Sequence, residues 1–118
     1  MDYIDIVTST SYDVLPILKR IVPPNWKCVM VCIDYNVNTA GASEDSPSEK
    51  WPFKATFVNE SGKVIVLRVF TFAIGYVGTG PHDAAKILQY LGVHYDWDDI
   101  FTQRRQSYDG VIHLEYIV

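Results

Sequence analysis

Basic residues are in short supply in this chain. Ten Lys and Arg stand against fourteen Asp and Glu, a formal net charge of −4, and basic residues never run beyond a pair such as Arg104-Arg105. A nucleic-acid binder gains most of its affinity by neutralising phosphates with Lys and Arg, so direct DNA or RNA binding is disfavoured. The sign of the charge suits a basic protein partner instead. Long apolar runs are missing too. No stretch reaches the ~18 residues of a membrane span. The opening run MDYIDIVTST is acidic and has neither the basic start nor the apolar core of a secretory signal. The expectation is a cytoplasmic protein without a membrane segment.

Cysteine is scarce: only Cys28 and Cys32, both in CVMVC. In a regular strand they share a face and stand about 13 Å apart at ~3.3 Å per residue. Disulfide partners need their Cα atoms within about 7 Å, so no bridge joins them. Two buried thiols in a reducing compartment is the reading that remains.

Catalytic patterns are also lacking. There is no G-x-S-x-G elbow, and the serines fall in turn-forming stretches or ahead of the first helix. The cysteines lie in an apolar run that disfavours thiolates. His94-x-Asp96-x-Asp98-Asp99 has ligand-type residues but lacks the glycine and distal glutamate of a calcium loop. A tetrahedral zinc site needs four placed ligands, and His82-Asp83 alone falls short of one. No catalytic residue, cofactor site or metal site is expected, and the chain is not read as an enzyme.

What is present is an ordinary globular composition: 118 residues, 48% hydrophobic, 20% charged and 14% aromatic. That is one domain able to bury a core without staples. DYIDIV reads as a short strand. Val14, Leu15, Ile17, Leu18 and Ile21 have helical spacing; Pro16 is tolerated in a first turn, which makes Asp13 the N-cap, and Pro23-Pro24 ends the helix. Trp26–Val37 alternates as a strand, with Lys27, Val29, Val31 and Ile33 on one face and Cys28, Met30, Cys32 and Asp34 on the other. An acidic loop at about 38–50 follows, holding Glu44, Asp45 and Glu49; its length marks it as a candidate functional loop. FKATFV-NESG-KVIVLRVFTFAI reads as a hairpin turned by Asn59, Ser61 and Gly62. Its second arm is apolar on both faces, as for a strand at least partly covered on both sides. DWDDIFTQRRQ is a short helical candidate. VIHLEYIV is a last strand, with Ile112, Leu114, Tyr116 and Val118 on one face and His113 and Glu115 on the other. The order β-α-β-β-β-α-α-β predicts an α+β fold: one mostly antiparallel or mixed sheet of about five strands, with two or three short helices packed on it.

Between these elements lies GYVGTGPHDAAKILQYLG, Gly75–Gly92. Strand, glycine loop and helix is a layout that can hold a phosphate, but Gly78-Thr79-Gly80 lacks the Lys-Ser/Thr of a P-loop and the spacing of a dinucleotide site. The same residues explain a helix start: Pro81 at the first helical position, Gly80 or Thr79 as cap, and Asp83 in the first turn, where its charge opposes a phosphate. Ala84, Ile87, Leu88 and Leu91 form the buried stripe, and Gly92 ends it.

The run Thr71–Gly92, through Tyr76, Gly78, Gly80, Pro81, Ile87, Leu88 and Gly92, resembles a stretch of small bacterial immunity proteins, including those of contact-dependent growth inhibition systems. The resemblance implies an acidic cytoplasmic protein that neutralises a toxin, usually its nuclease domain, by direct binding. It rests on structural residues and assigns no toxin-contacting side chain.

Beside it stands HYDWDD, His94–Asp99, where Tyr95 and Trp97 alternate with Asp96, Asp98 and Asp99. Aromatic anchors among acids suit an interface with a basic surface; the plainer reading packs Trp97 in the core beside Ile100 and Phe101. The primary functional expectation is an inhibitor that masks the active site or groove of a basic enzyme, using Tyr95, Asp96, Trp97, Asp98 and Asp99, with Glu44, Asp45 and Glu49 as a second acidic surface. Two alternatives stand beside it. One is a small hydrolase or phosphate-binding enzyme using the Gly78–Asp83 loop with His82. The other is a structural subunit that dimerises through Val111–Val118.

Overall fold

The computed structural model describes residues 2–36, 51–103, 106 and 110–118. The acidic loop expected at about 38–50, with Glu44, Asp45 and Glu49, lies outside the described residues. The elements are β1 (Asp2–Ile6), α1 (Val14–Ile21), β2 (Lys27–Asn36), β3 (Phe53–Val58), β4 (Val64–Val69), α2 (Thr79–Tyr90), α3 (Trp97–Phe101) and β5 (Val111–Ile117), in the expected order, with a 3-10 turn at Ser11–Asp13 leading into α1. The strands form one sheet in the order β1-β4-β3-β2-β5. β1 runs parallel to β4 and every other pairing is antiparallel, so the sheet is mixed and the fold is α+β. No helix among the described residues is long and apolar enough to cross a membrane.

The strand alternation builds the core. Ile6, Ile33, Phe53, Leu67 and Ile112, one from each strand, point to a single face and are at most 3% exposed. Val14 and Leu18 of α1, Ile87 and Leu88 of α2 and Ile100 of α3 close over that face. The hairpin between β3 and β4 turns where expected: the Asn59 side-chain oxygen accepts from the backbone N–H groups of Ser61 and Lys63, and Gly62 takes a φ of +82°. β4 lies between β1 and β3. Its Val66, on the face away from the helices, is buried as well, while Arg68 there is half-buried.

Several details depart from the sequence reading. β4 ends at Val69 rather than running on to Ile74, and α3 ends at Phe101. The register of β2 shifts between Cys28 and Met30. Such a bulge adds one residue to one strand and inverts the alternation beyond it. Cys28, opposite Phe57, therefore packs against the core with Val31 and Ile33, while Cys32 is on the other face; the two thiols do not share a side. α2 begins at Thr79 with Gly78 as its cap residue, so Pro81 sits in the third helical position rather than the first. Asp13 is the N-cap residue of α1, yet its carboxylate makes no capping bond and instead accepts from the Thr10 hydroxyl. The other end of α2 is as read: Gly92, at φ +81°, lets its own N–H reach the Gln89 carbonyl and that of Val93 reach Leu88, a Schellman close.

Candidate functional site

The glycine loop after β4 holds its own tyrosine. A β-carbon at Gly78 would stand 2.7 Å from Cε2 of Tyr76, and one at Gly80 would stand 2.5 Å from the Tyr76 hydroxyl. The Tyr76 ring lies across both glycines, and Ala73 Cβ, 3.0 Å from a β-carbon at Gly80, crowds the second as well. The next two side chains diverge. Asp83 accepts a hydrogen bond from Ser11 at 2.8 Å, tying α2 to the turn before α1. His82 leans the other way, its ring 5.0 Å from that of Phe101. A cleft of about 300 Å³ lies between the Ser11–Asp13 turn, α1 and α2; Lys19, Asp83 and Lys86 line it, and neither His82 nor His94 does.

α3 completes this end of the molecule. The Gly75 N–H bonds the Ile100 carbonyl at 2.7 Å, which holds the glycine loop beside the helix. Asp96, in extended conformation, is the N-cap residue, and its carbonyl accepts from the Asp99 N–H. Trp97 stacks on Phe101 with ring centroids 4.8 Å apart and planes 23° apart. Phe101 is buried, but Trp97 keeps 55% of its surface exposed. The result is a row of rings, Trp97, Phe101 and His82, with exposed Tyr76 and Val77 on the adjoining loop.

The residues read as a partner surface therefore separate. Asp96 and Trp97 are exposed and Asp98 is half-buried. Tyr95 turns inward against the core, and its hydroxyl takes a bond from Gln89. Asp99 is 6% exposed and accepts from the Tyr116 hydroxyl of β5 at 3.4 Å. Tyr95 and Asp99 thus hold α3 in place, and Asp96, Trp97 and Asp98 face outward to differing degrees. The residues of His94-x-Asp96-x-Asp98-Asp99 do not converge as a group of ligands: among the described residues the one such group lies elsewhere.

That group sits on the sheet face away from the helices. Register pairs Cys32 with Glu115 and Asp34 with His113 across β2 and β5. Nδ1 of His113 contacts Asp34 Oδ1, and Nε2 lies 3.2 Å from Glu115 Oε1. The Cys32 thiol donates to Asp34 Oδ2 at 3.6 Å. These bonds to carboxylates hold the His113 imidazole above its ordinary pKa. Partial burial, with Asp34 and Glu115 beside it, pushes the Cys32 thiol up to about 11. The sequence reading found both halves of the arrangement, Cys32 with Asp34 on one strand face and His113 with Glu115 on another. It did not find the pairing of β2 with β5 that joins them.

On the same face Arg68 forks onto Asp5 of β1 with bonds of 2.7 and 2.8 Å, and its guanidinium lies between the rings of Tyr3 and Trp51. No protein family, no curated protein and no solved structure matches this chain.

Proposed function

We propose that this protein is an inhibitor that binds a basic protein, with the surface built around Trp97 as its contact. One observation carries the reading: a tryptophan more than half exposed, held rigid by stacking on a buried phenylalanine and flanked by Asp96 and Asp98. Large aromatic side chains presented rigidly are the commonest anchors of protein interfaces, since they bury much area while losing little conformational entropy. The acidic neighbours and the net charge of −4 select a basic partner and speed the encounter. Tyr76 and Val77 extend the apolar area beside it. The resemblance of Thr71–Gly92 to immunity proteins supplies the class of target, a toxin enzyme such as a nuclease, whose substrate groove is itself basic.

The test is capture from a lysate of the source cell, followed by assay of the captured partner. The wild-type chain is expected to retain one basic protein and to lower its enzymatic activity at equimolar amounts. Trp97→Ala and Asp96→Lys are expected to lose both effects while keeping the fold. Equal capture and inhibition by wild type and Trp97→Ala would remove this surface from the reading.

A second reading has its own observation. β5 is an outer strand of the sheet, and its Ile117 is 83% exposed. An outer strand with apolar side chains is a template for pairing with a second copy. Sedimentation equilibrium distinguishes the two: a dimer dissociated by Ile117→Lys supports self-association, and a monomer at micromolar concentration removes it.

A further inference from the structure

The sheet face away from the helices brings a thiol, an imidazole and two carboxylates to one place. Cys32 Sγ, a ring nitrogen of His113 and a carboxylate oxygen of Glu115 all lie within 4.8 Å of one another. A tetrahedral ion with bonds of ~2.0–2.3 Å requires ligand atoms about 3.3–3.8 Å apart. His113 Nε2 and Glu115 Oε1 are already 3.2 Å apart, and closing the set takes a nearer approach of Cys32 Sγ. We propose that Cys32 Sγ, His113 Nε2 and Glu115 Oε1 bind a divalent ion of the zinc class, with Asp34 as the positioning residue that holds His113.

Two features support the assignment. Asp34 contacts Nδ1 of His113, which leaves Nε2 to face Glu115. A carboxylate on one imidazole nitrogen with the metal on the other is the usual way a ligating histidine is oriented. Thiolate with imidazole also selects a borderline-soft ion such as zinc over magnesium or calcium, which take oxygen ligands. The frame is rigid because all four residues sit on two hydrogen-bonded strands in direct register. His113 and Glu115 are exposed, so an ion enters from solvent, and water fills the fourth position. Binding releases the thiol proton and the Nε2 proton to solvent. Cys28 takes no part, because the bulge in β2 puts it on the helix side of the sheet.

Co2+ is the probe, with the reduced full-length chain freed of metal by chelator and dialysis. Stoichiometric Co2+ is expected to give a thiolate-to-cobalt charge-transfer band and visible bands of tetrahedral type, both removed by equimolar Zn2+. Cys32→Ser is expected to abolish the charge-transfer band, and His113→Asn or Glu115→Gln to weaken Co2+ binding at least tenfold. Asp34→Asn should weaken it about 10–100-fold, the range for a carboxylate behind a ligating histidine. Cys28→Ser should leave it unchanged. Circular dichroism confirms that each variant is folded, and Zn2+ should protect Cys32 but not Cys28 from alkylation. Absence of the band, a band that persists in Cys32→Ser, a band lost in Cys28→Ser, or tight binding in both His113→Asn and Glu115→Gln would each overturn the site.

Discussion

The ring of Tyr76 lies so close to the backbone of Gly78 that a β-carbon there would stand 2.7 Å from Cε2 and 3.0 Å from Cδ2. Backbone conformation does not require the glycine, since its φ of 177° is open to any residue. The atoms nearest to the added carbon all belong to Tyr76. Gly78→Ala is therefore expected to destabilise the wild-type chain by about 1–2 kcal/mol, through displacement of the ring. In a Tyr76→Ala background the same change should cost almost nothing. The double-mutant cycle, read by urea denaturation, checks this; additive effects would mean that the ring does not rest there.

Much of this was legible beforehand, and what was missed has a physical pattern. Strand alternation grouped Ile112, Leu114, Tyr116 and Val118 on one face of β5, of which the first three pack inward, and the Asn59–Gly62 turn marked the hairpin of β3 and β4, because both signals are local. The bulge at Cys28/Met30 was not legible, since an extra residue in a strand shows only when a partner strand defines the register. The cluster of Cys32, Asp34, His113 and Glu115 was hidden for the same reason: 79 residues separate His113 from Asp34, and only the strand order joins them. Within HYDWDD the alternation of aromatics and acids was visible. Which of them turn inward was decided by packing: Tyr95 against the core, and Asp99 under Tyr116.

Arg68 is expected to secure β1, the outer parallel strand. Its fork onto Asp5 and its place between Tyr3 and Trp51 need a planar guanidinium. Arg68→Lys keeps the charge but loses the second bond and the stacking, at a cost of about 1 kcal/mol. Hydrogen exchange should localise the loss, with amides of Asp2–Ile6 exchanging faster while those of β2 and β3 do not change. Uniform acceleration across the sheet would contradict this role.

Partial burial raises the Cys28 thiol to about 11, against a weaker lowering by the backbone at Met30. The folded chain thus holds this proton more tightly than the unfolded chain does. The resulting stability is intact below the unfolded thiol's pKa of about 8.5 and is lost as pH rises toward the folded value. Cys28→Ala should flatten the decline of stability between pH 9 and 11, at the price of a constant loss from the vacated space. Alkylation of Cys28 should be slow at pH 8, where roughly one thiol in a thousand is ionised given a pKa of about 11, and should speed up about tenfold per pH unit from there to pH 10. Rapid modification at pH 7 would show that the thiol is not packed, half-buried, against the core.

Trp97 and Ile100 occupy one short helix and are expected to answer different questions. Ile100 is fully buried, and its replacement by Ala should cost about 2–5 kcal/mol through lost burial and a residual cavity. Trp97 is 55% exposed and stacks on one ring, so Trp97→Ala should cost only about 1 kcal/mol, the scale of a single aromatic pair. A ring that contributes little to folding and lies largely in solvent is what the proposed partner surface requires. The two measurements together decide it. If Trp97→Ala destabilises as much as Ile100→Ala, the ring belongs to the core and its loss of partner capture would report unfolding. If the stability loss is small and capture is still abolished, the ring acts at the interface.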